Sequence, residues 1–109
     1  MADPKEIYRQ FRDILPKLAQ RMTQDLHLAS MDPTIEIGHV LLEYLVILSY
    51  VNDIYFLPGN SLEAKTKAVL AIRAFLQGHE TPEGLRHKLM AVLLEHKNKK
   101  RTEKNEPFF

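Results

Sequence analysis

The stretch from Pro33 to Leu57 constrains this chain more than any other, because it reads as one long helix apolar on nearly every side. Val40, Leu41, Leu42, Leu45, Val46, Ile47, Leu48 and Val51 leave only Glu43, Tyr44, Ser49 and Tyr50 between them, and Pro58-Gly59-Asn60 stops the run. A helix apolar all round is stable in water only inside a coat of other helices. The other home for such a helix is a bilayer. Its uninterrupted part, residues 40–51, rises about 18 Å against a hydrocarbon core of roughly 30 Å. Lengthening it to Ile35 and Leu57 brings in Glu36, His39, Glu43, Asn52 and Asp53. Ionisable groups at membrane depth are costly without partners, so the stretch is read as the core helix of a soluble protein.

The other helices follow from their caps. Asp3-Pro4, Asp32-Pro33 and Thr81-Pro82 each place a capping side chain before a proline. The cap accepts from an orphan first-turn amide, and proline lacks the amide that would go unpaired. Glu6, three residues after Asp3, suggests a capping box, and Ser61 opens a further helix after the Pro58 break. The first helix is expected from Pro4 to about Asp25, with Ile7, Phe11, Ile14, Leu18 and Met22 on one face. Pro16 inside it removes the bond to the Arg12 carbonyl and kinks it. His27 to Met31 is expected to be a connection. The third helix, Leu62 to Leu76, buries Leu62, Val69, Ile72, Phe75 and Leu76, carries Lys65, Lys67 and Arg73 outward, and ends at Gly78. The fourth aligns Leu85, Leu89, Val92, Leu93 and His96, after which the apolar pattern disappears.

Short connections make successive helices antiparallel. The expected fold is all-α: an antiparallel (up-down) four-helix bundle with a kinked first helix and a flexible basic C-terminal tail. Residues 1–96 form the bundle domain and 97–109 the tail. With 109 residues the chain is long enough for one core without metal or disulfides. It has no cysteine, which removes thiol catalysis and Cys-based zinc sites and fits a reducing cytoplasm. The polar start, Met1 to Glu6, lacks the apolar stretch of a secretory signal. The net charge of +1 is unevenly spread: residues 96–109 hold five Lys/Arg against two Glu, a local +3, which leaves the preceding 95 residues at −2.

Candidate chemistry is sparse. Glu36-Ile37-Gly38-His39 has the Glu-x-x-His spacing of di-iron bundles, but those sites need a second such motif and two more carboxylates. Only Glu43 shares the face, and Glu83 to His87 has the wrong spacing. No metal or other cofactor is expected. Five dispersed histidines suggest no triad, and four isolated glycines no phosphate cradle. No enzymatic activity and no small-molecule substrate are expected. Lys97-Asn98-Lys99-Lys100-Arg101 suits the negative end of a helix dipole and is compatible with a peripheral membrane contact. Without interleaved aromatics it is not read as a nucleic-acid site. Phe108-Phe109 ends this hydrophilic tail with two rings that either fold back or meet a partner.

The stretch from Asp32 to Leu76 resembles the enterocin A family of bacteriocin immunity proteins. Asp32-Pro33, the Leu41 to Leu45 core, the Asn52-Asp53-Ile54-Tyr55-Phe56 closure and the helix from Ser61 carry the resemblance. It implies a small cytoplasmic protein that protects its cell from a pediocin-like bacteriocin by binding, without catalysis. The implied partner is the membrane sugar-transporter receptor with bound bacteriocin, met at the cytoplasmic side. Since the C-terminal half confers specificity in that family, Lys97, Lys99, Lys100, Arg101, Phe108 and Phe109 become the candidate partner-binding residues. A small helical adaptor or regulator that binds a protein or nucleic acid is the alternative.

Overall fold

The computed structural model describes the backbone of residues 3–58 and 61–105, with side chains through residue 98. Four helices follow in order: α1 (Pro4–Met31), α2 (Ile37–Tyr55), α3 (Leu62–Leu76) and α4 (Pro82–Asn105). The fold is an all-α four-helix bundle.

In α1 the Asp3 carboxylate caps the Lys5 amide at 3.2 Å, as the sequence suggests. Glu6 does not close a capping box. It accepts instead from Arg9 at 2.6 Å and Gln10 at 3.3 Å, because those donors lie one turn ahead on the same face. Ile7, Phe11, Ile14 and Leu18 are buried as expected. The helix runs through Pro16 as one element and continues to Met31, past the end expected near Asp25. Its extension past Asp25 is held by burial of Ala29, and Arg21 pairs with Asp25 at 3.2 Å just before it.

Asp32-Pro33 turns out to be a turn rather than a helix start. The Asp32 carboxylate accepts from the Thr34 amide at 2.9 Å and the Thr34 hydroxyl at 2.7 Å. This local Asx turn satisfies the same acceptor that a helix cap would have used. α2 starts four residues later with Glu36 as cap and no side-chain capping bond. Ser61 does precede α3, but its hydroxyl donates to the Pro58 carbonyl instead of capping. The far end of α3 closes in a Schellman motif. His79 donates to the Ala74 carbonyl at 2.9 Å and Gly78 to Phe75 at 3.1 Å, with Gly78 at φ +84°. In α4, Thr81 Oγ1 caps the Gly84 amide at 3.0 Å, and the helix persists past His96 to Asn105. Lys, Arg, Glu, Asn and Thr102 fill that extension, and most are good helix formers.

Contacts fix the directions. Tyr8 near the start of α1 meets Tyr55 at the end of α2, and Lys67 early in α3 pairs with Glu95 late in α4. Successive helices are therefore antiparallel, giving the expected up-down order. Their arrangement around the ring is not sequential, however. α1 packs on α2 and α3, α4 packs on α2 and α3, and α2 meets α3 more weakly across the diagonal. The neighbours α1 and α3 are parallel, since Tyr8 also accepts from Lys65, and α2 and α4 are parallel, since Glu43 pairs with Arg86. Buried Ala64, Ala68 and Ala71 let α3 approach both flanking helices.

One side chain and one helix depart from their expected environment. Lys65, assigned by its spacing to the outer face of α3, is fully buried. Its ammonium donates to the Tyr8 hydroxyl at 2.6 Å and lies 4.5 Å from the Tyr8 ring centroid, so an aromatic neighbour compensates the lost hydration. The larger correction concerns α2. Only Tyr44, Ile47, Val51 and Ile54 are buried along it, so the rod is not wrapped on all sides. A helix in a four-membered ring has two lateral neighbours and one weak diagonal contact, which cover only part of its circumference.

Candidate interaction surface on the second helix

The uncovered side of α2 is the most unusual surface among the described residues. Leu41 and Leu42 on one turn and Leu45 on the next are 44–60% exposed, with Ile37 before them and Phe56 after them at 72%. Leu28 and Met31 at the end of α1, and Ile35 in the connection, extend it around the corner. Eight of the ten large apolar side chains that reach solvent in the described chain thus lie between Leu28 and Phe56. Isolated exposed leucines need no explanation, but a concentration along one element does.

Charge sets this region apart as well. From Met22 to Ala64 the chain holds no Lys or Arg, while Asp25, Asp32, Glu36, Glu43, Asp53 and Glu63 supply six acids. The outward positions Gly38, Leu42, Leu45, Ser49, Asn52 and Phe56 form an uncharged strip, with Asp53 at its edge.

Two concavities flank the strip. Beside Pro16, a groove of about 900 Å³ runs between α1 and α2, walled by Leu15, Ala19, Leu45, Leu48 and Tyr55, with Phe56 at one end and Arg12 at the rim. The first turn of α2 borders a smaller hollow of about 470 Å³, formed with Leu28, Ile35, Tyr44 and Pro82. Of the polar groups lining that second hollow, Asp25, Glu43 and Tyr44 are already engaged, and His39 and Glu83 line it as well. Tyr44 donates its hydroxyl to Asp25, which also accepts from Arg21, and Glu43 accepts from Arg86 at 2.6 Å. Burial, reinforced by the bond to Asp25, pushes the Tyr44 phenol well above the ordinary tyrosine range. The bond to Glu43 raises the Arg86 guanidinium further. Such groups fix helix positions and offer little spare reactivity.

The Glu-x-x-His candidate lies at the start of α2. Glu36 and His39 are exposed at the start of α2, whereas Glu43 turns to α4. Among the described residues no group of three or more His, Asp or Glu could hold a metal ion. Of the candidate partner-binding residues, Lys97 is exposed on α4. Lys99, Lys100 and Arg101 belong to the helical extension of α4, with side chains outside the described set, and Phe108 and Phe109 lie outside the described residues.

Comparison with family models finds no match, and neither curated proteins nor solved structures match the chain. The surface must be judged on its own geometry. Sequence reasoning missed the α2 strip because it treated an all-round apolar helix as proof of all-round burial. The signal was present nonetheless: three other helices in short connection cannot encircle a fourth.

Proposed function

We propose that the protein is a bacteriocin immunity protein that acts by binding, without catalysis, through the basic end of α4. The enterocin A-type pattern from Asp32 to Leu76 motivates this reading, and the continuation of α4 carries it. Glu95 stands opposite Lys67 on antiparallel α3, which begins five residues before Lys67 at Leu62. The start of α3 is therefore level with about residue 100 of α4. The last turns of α4 reach past the bundle as a rod whose positions 97, 100, 101 and 104 fall on one side. All four are Lys or Arg. Presented on a helix, they lose less freedom on docking than on a loose tail. The partner in this reading is the bacteriocin-occupied sugar transporter at the cytoplasmic face of the membrane.

Expression in a bacterium sensitive to pediocin-like peptides tests the reading. The full chain is expected to raise the inhibitory dose, and deletion of residues 97–109 to abolish protection while the helicity of residues 1–96 and the melting midpoint persist. Protection retained by the deletion variant would remove α4 from the mechanism. Absence of protection by the full chain, together with duplex-DNA affinity falling steeply with salt, would instead favour the regulator reading.

A further inference from the structure

We infer that the uncovered face of α2 binds the same face of a second copy of this chain, forming a two-fold dimer with the two α2 helices antiparallel. Three independent observations lead there.

The first is area. At roughly 200 Å² for a fully exposed side chain of this size, Ile37, Leu41, Leu42, Leu45 and Phe56 leave on the order of 550 Å² of this face in water. That is at the upper end of the apolar patch of a typical monomer and matches the apolar part, about two thirds, of one partner's share of a standard stable interface, about 800 Å².

The second is self-complementarity. A two-fold axis perpendicular to α2 near Ile47 reverses the strip onto itself. Phe56 then faces Gly38 of the other copy, Leu42 faces Asn52, and Leu45 faces Ser49. In every pair a large side chain meets a small or short one, and the partner relations are reciprocal, as an isologous contact requires. Space at Gly38 is open: a Cβ built there meets nothing within 4 Å. It can therefore receive the exposed Phe56 ring of the second copy.

The third is charge. The strip itself is uncharged, so reversal brings no like charges together at its centre. The absence of Lys and Arg from Met22 to Ala64 also argues against a lipid surface. Helices that lie on anionic membranes border their apolar face with cations. Along α2 and its connections the border is acidic, with Arg12 of α1 at the rim of the neighbouring groove. The second copy occupies α2 only and leaves the far end of α4 free.

Sedimentation equilibrium of the full chain is expected to give about twice the 12.7 kDa chain mass at tens of micromolar. Leu45→Lys puts two ammonium groups near the axis and is expected to weaken self-association at least about 30-fold, the loss a central hot-spot residue causes. Leu45 is half exposed in one chain, so the variant should keep its helicity. Because the chain lacks cysteine, Ser49→Cys supplies a unique thiol beside the axis. A short bis-maleimide should link it into dimers, whereas Lys88→Cys, on α4 away from the strip, should stay monomeric. A wild-type chain that remains at 12.7 kDa at 100 micromolar overturns the proposal, whether or not it floats with phosphatidylglycerol vesicles. So does a dimer that survives Leu45→Lys and links equally through Lys88→Cys, because its interface then lies elsewhere.

Discussion

Tyr44 shows how a single side chain organises the junction of α1 and α2. Its ring is buried against Phe75, at 6.3 Å between centroids, while its hydroxyl reaches across to Asp25. Arg21 completes the group by holding Asp25 and lying 4.7 Å from the Phe75 ring centroid. Tyr44→Phe keeps the ring but removes the donor to a charged acceptor, a change worth roughly 1–3 kcal/mol. Urea denaturation at pH 7 should show that loss. The pH dependence has a definite sign. Because folding raises the phenol above its ordinary value of 10.0, its contribution is complete below that value and declines as pH climbs into the folded range. Wild type should therefore lose stability above about pH 10 more steeply than Tyr44→Phe, measured as denaturation midpoints from pH 8 to 11. A flat difference between the two proteins would contradict the assignment.

Among the elements, α3 was the most legible in the sequence. Its start after Ser61, its stop before Gly78 and its buried Val69, Ile72 and Phe75 all follow from spacing and end signals, while Leu62 and Leu76 at its two ends are only partly buried. The stop depends on the left-handed conformation of Gly78, where a Cβ costs an L-residue about 1 kcal/mol. Gly78→Ala meets no steric neighbour, so a fall of about that size in unfolding free energy, at unchanged urea m-value, would report backbone strain alone. Legibility was lower wherever one residue type serves two ends. Asp32-Pro33 suits a helix start and an Asx turn equally, and only the tertiary path selects the turn. Periodicity also says nothing about what stands opposite a face. Lys65 sits at a spacing that reads as surface, yet Tyr8 comes to it from 57 positions away in sequence. The outer face of α2 failed in the reverse sense: its leucines look like core, and the ring of helices does not reach them. The candidate residues beyond His96 were found by charge alone, which is a local signal and needs no knowledge of packing.

The whole molecule is longer than its chain length requires. A compact chain of this size has a radius of gyration near 13 Å, whereas the value here is 16.0 Å and the longest dimension is 57 Å. The projecting end of α4 contributes to that length. Small-angle scattering from the Leu45→Lys chain should give about 16 Å by this description. Deletion of residues 97–109 should move it toward about 13 Å. A value unchanged by the deletion would mean that the extension does not stand clear of the bundle.

The non-sequential ring has a kinetic consequence. In a bundle whose helices neighbour each other in chain order, every new helix finds its template next door, and assembly can proceed by local addition. Here α1 must wait for α3, and α2 for α4, so partners such as Tyr8 and Lys65 meet only after a long loop has closed. Each antiparallel hairpin forms early and remains half-clad until the other arrives. Docking of the two hairpins then limits the folding rate, and for that interval the face of α2 destined for α4 stands open beside the face that never closes.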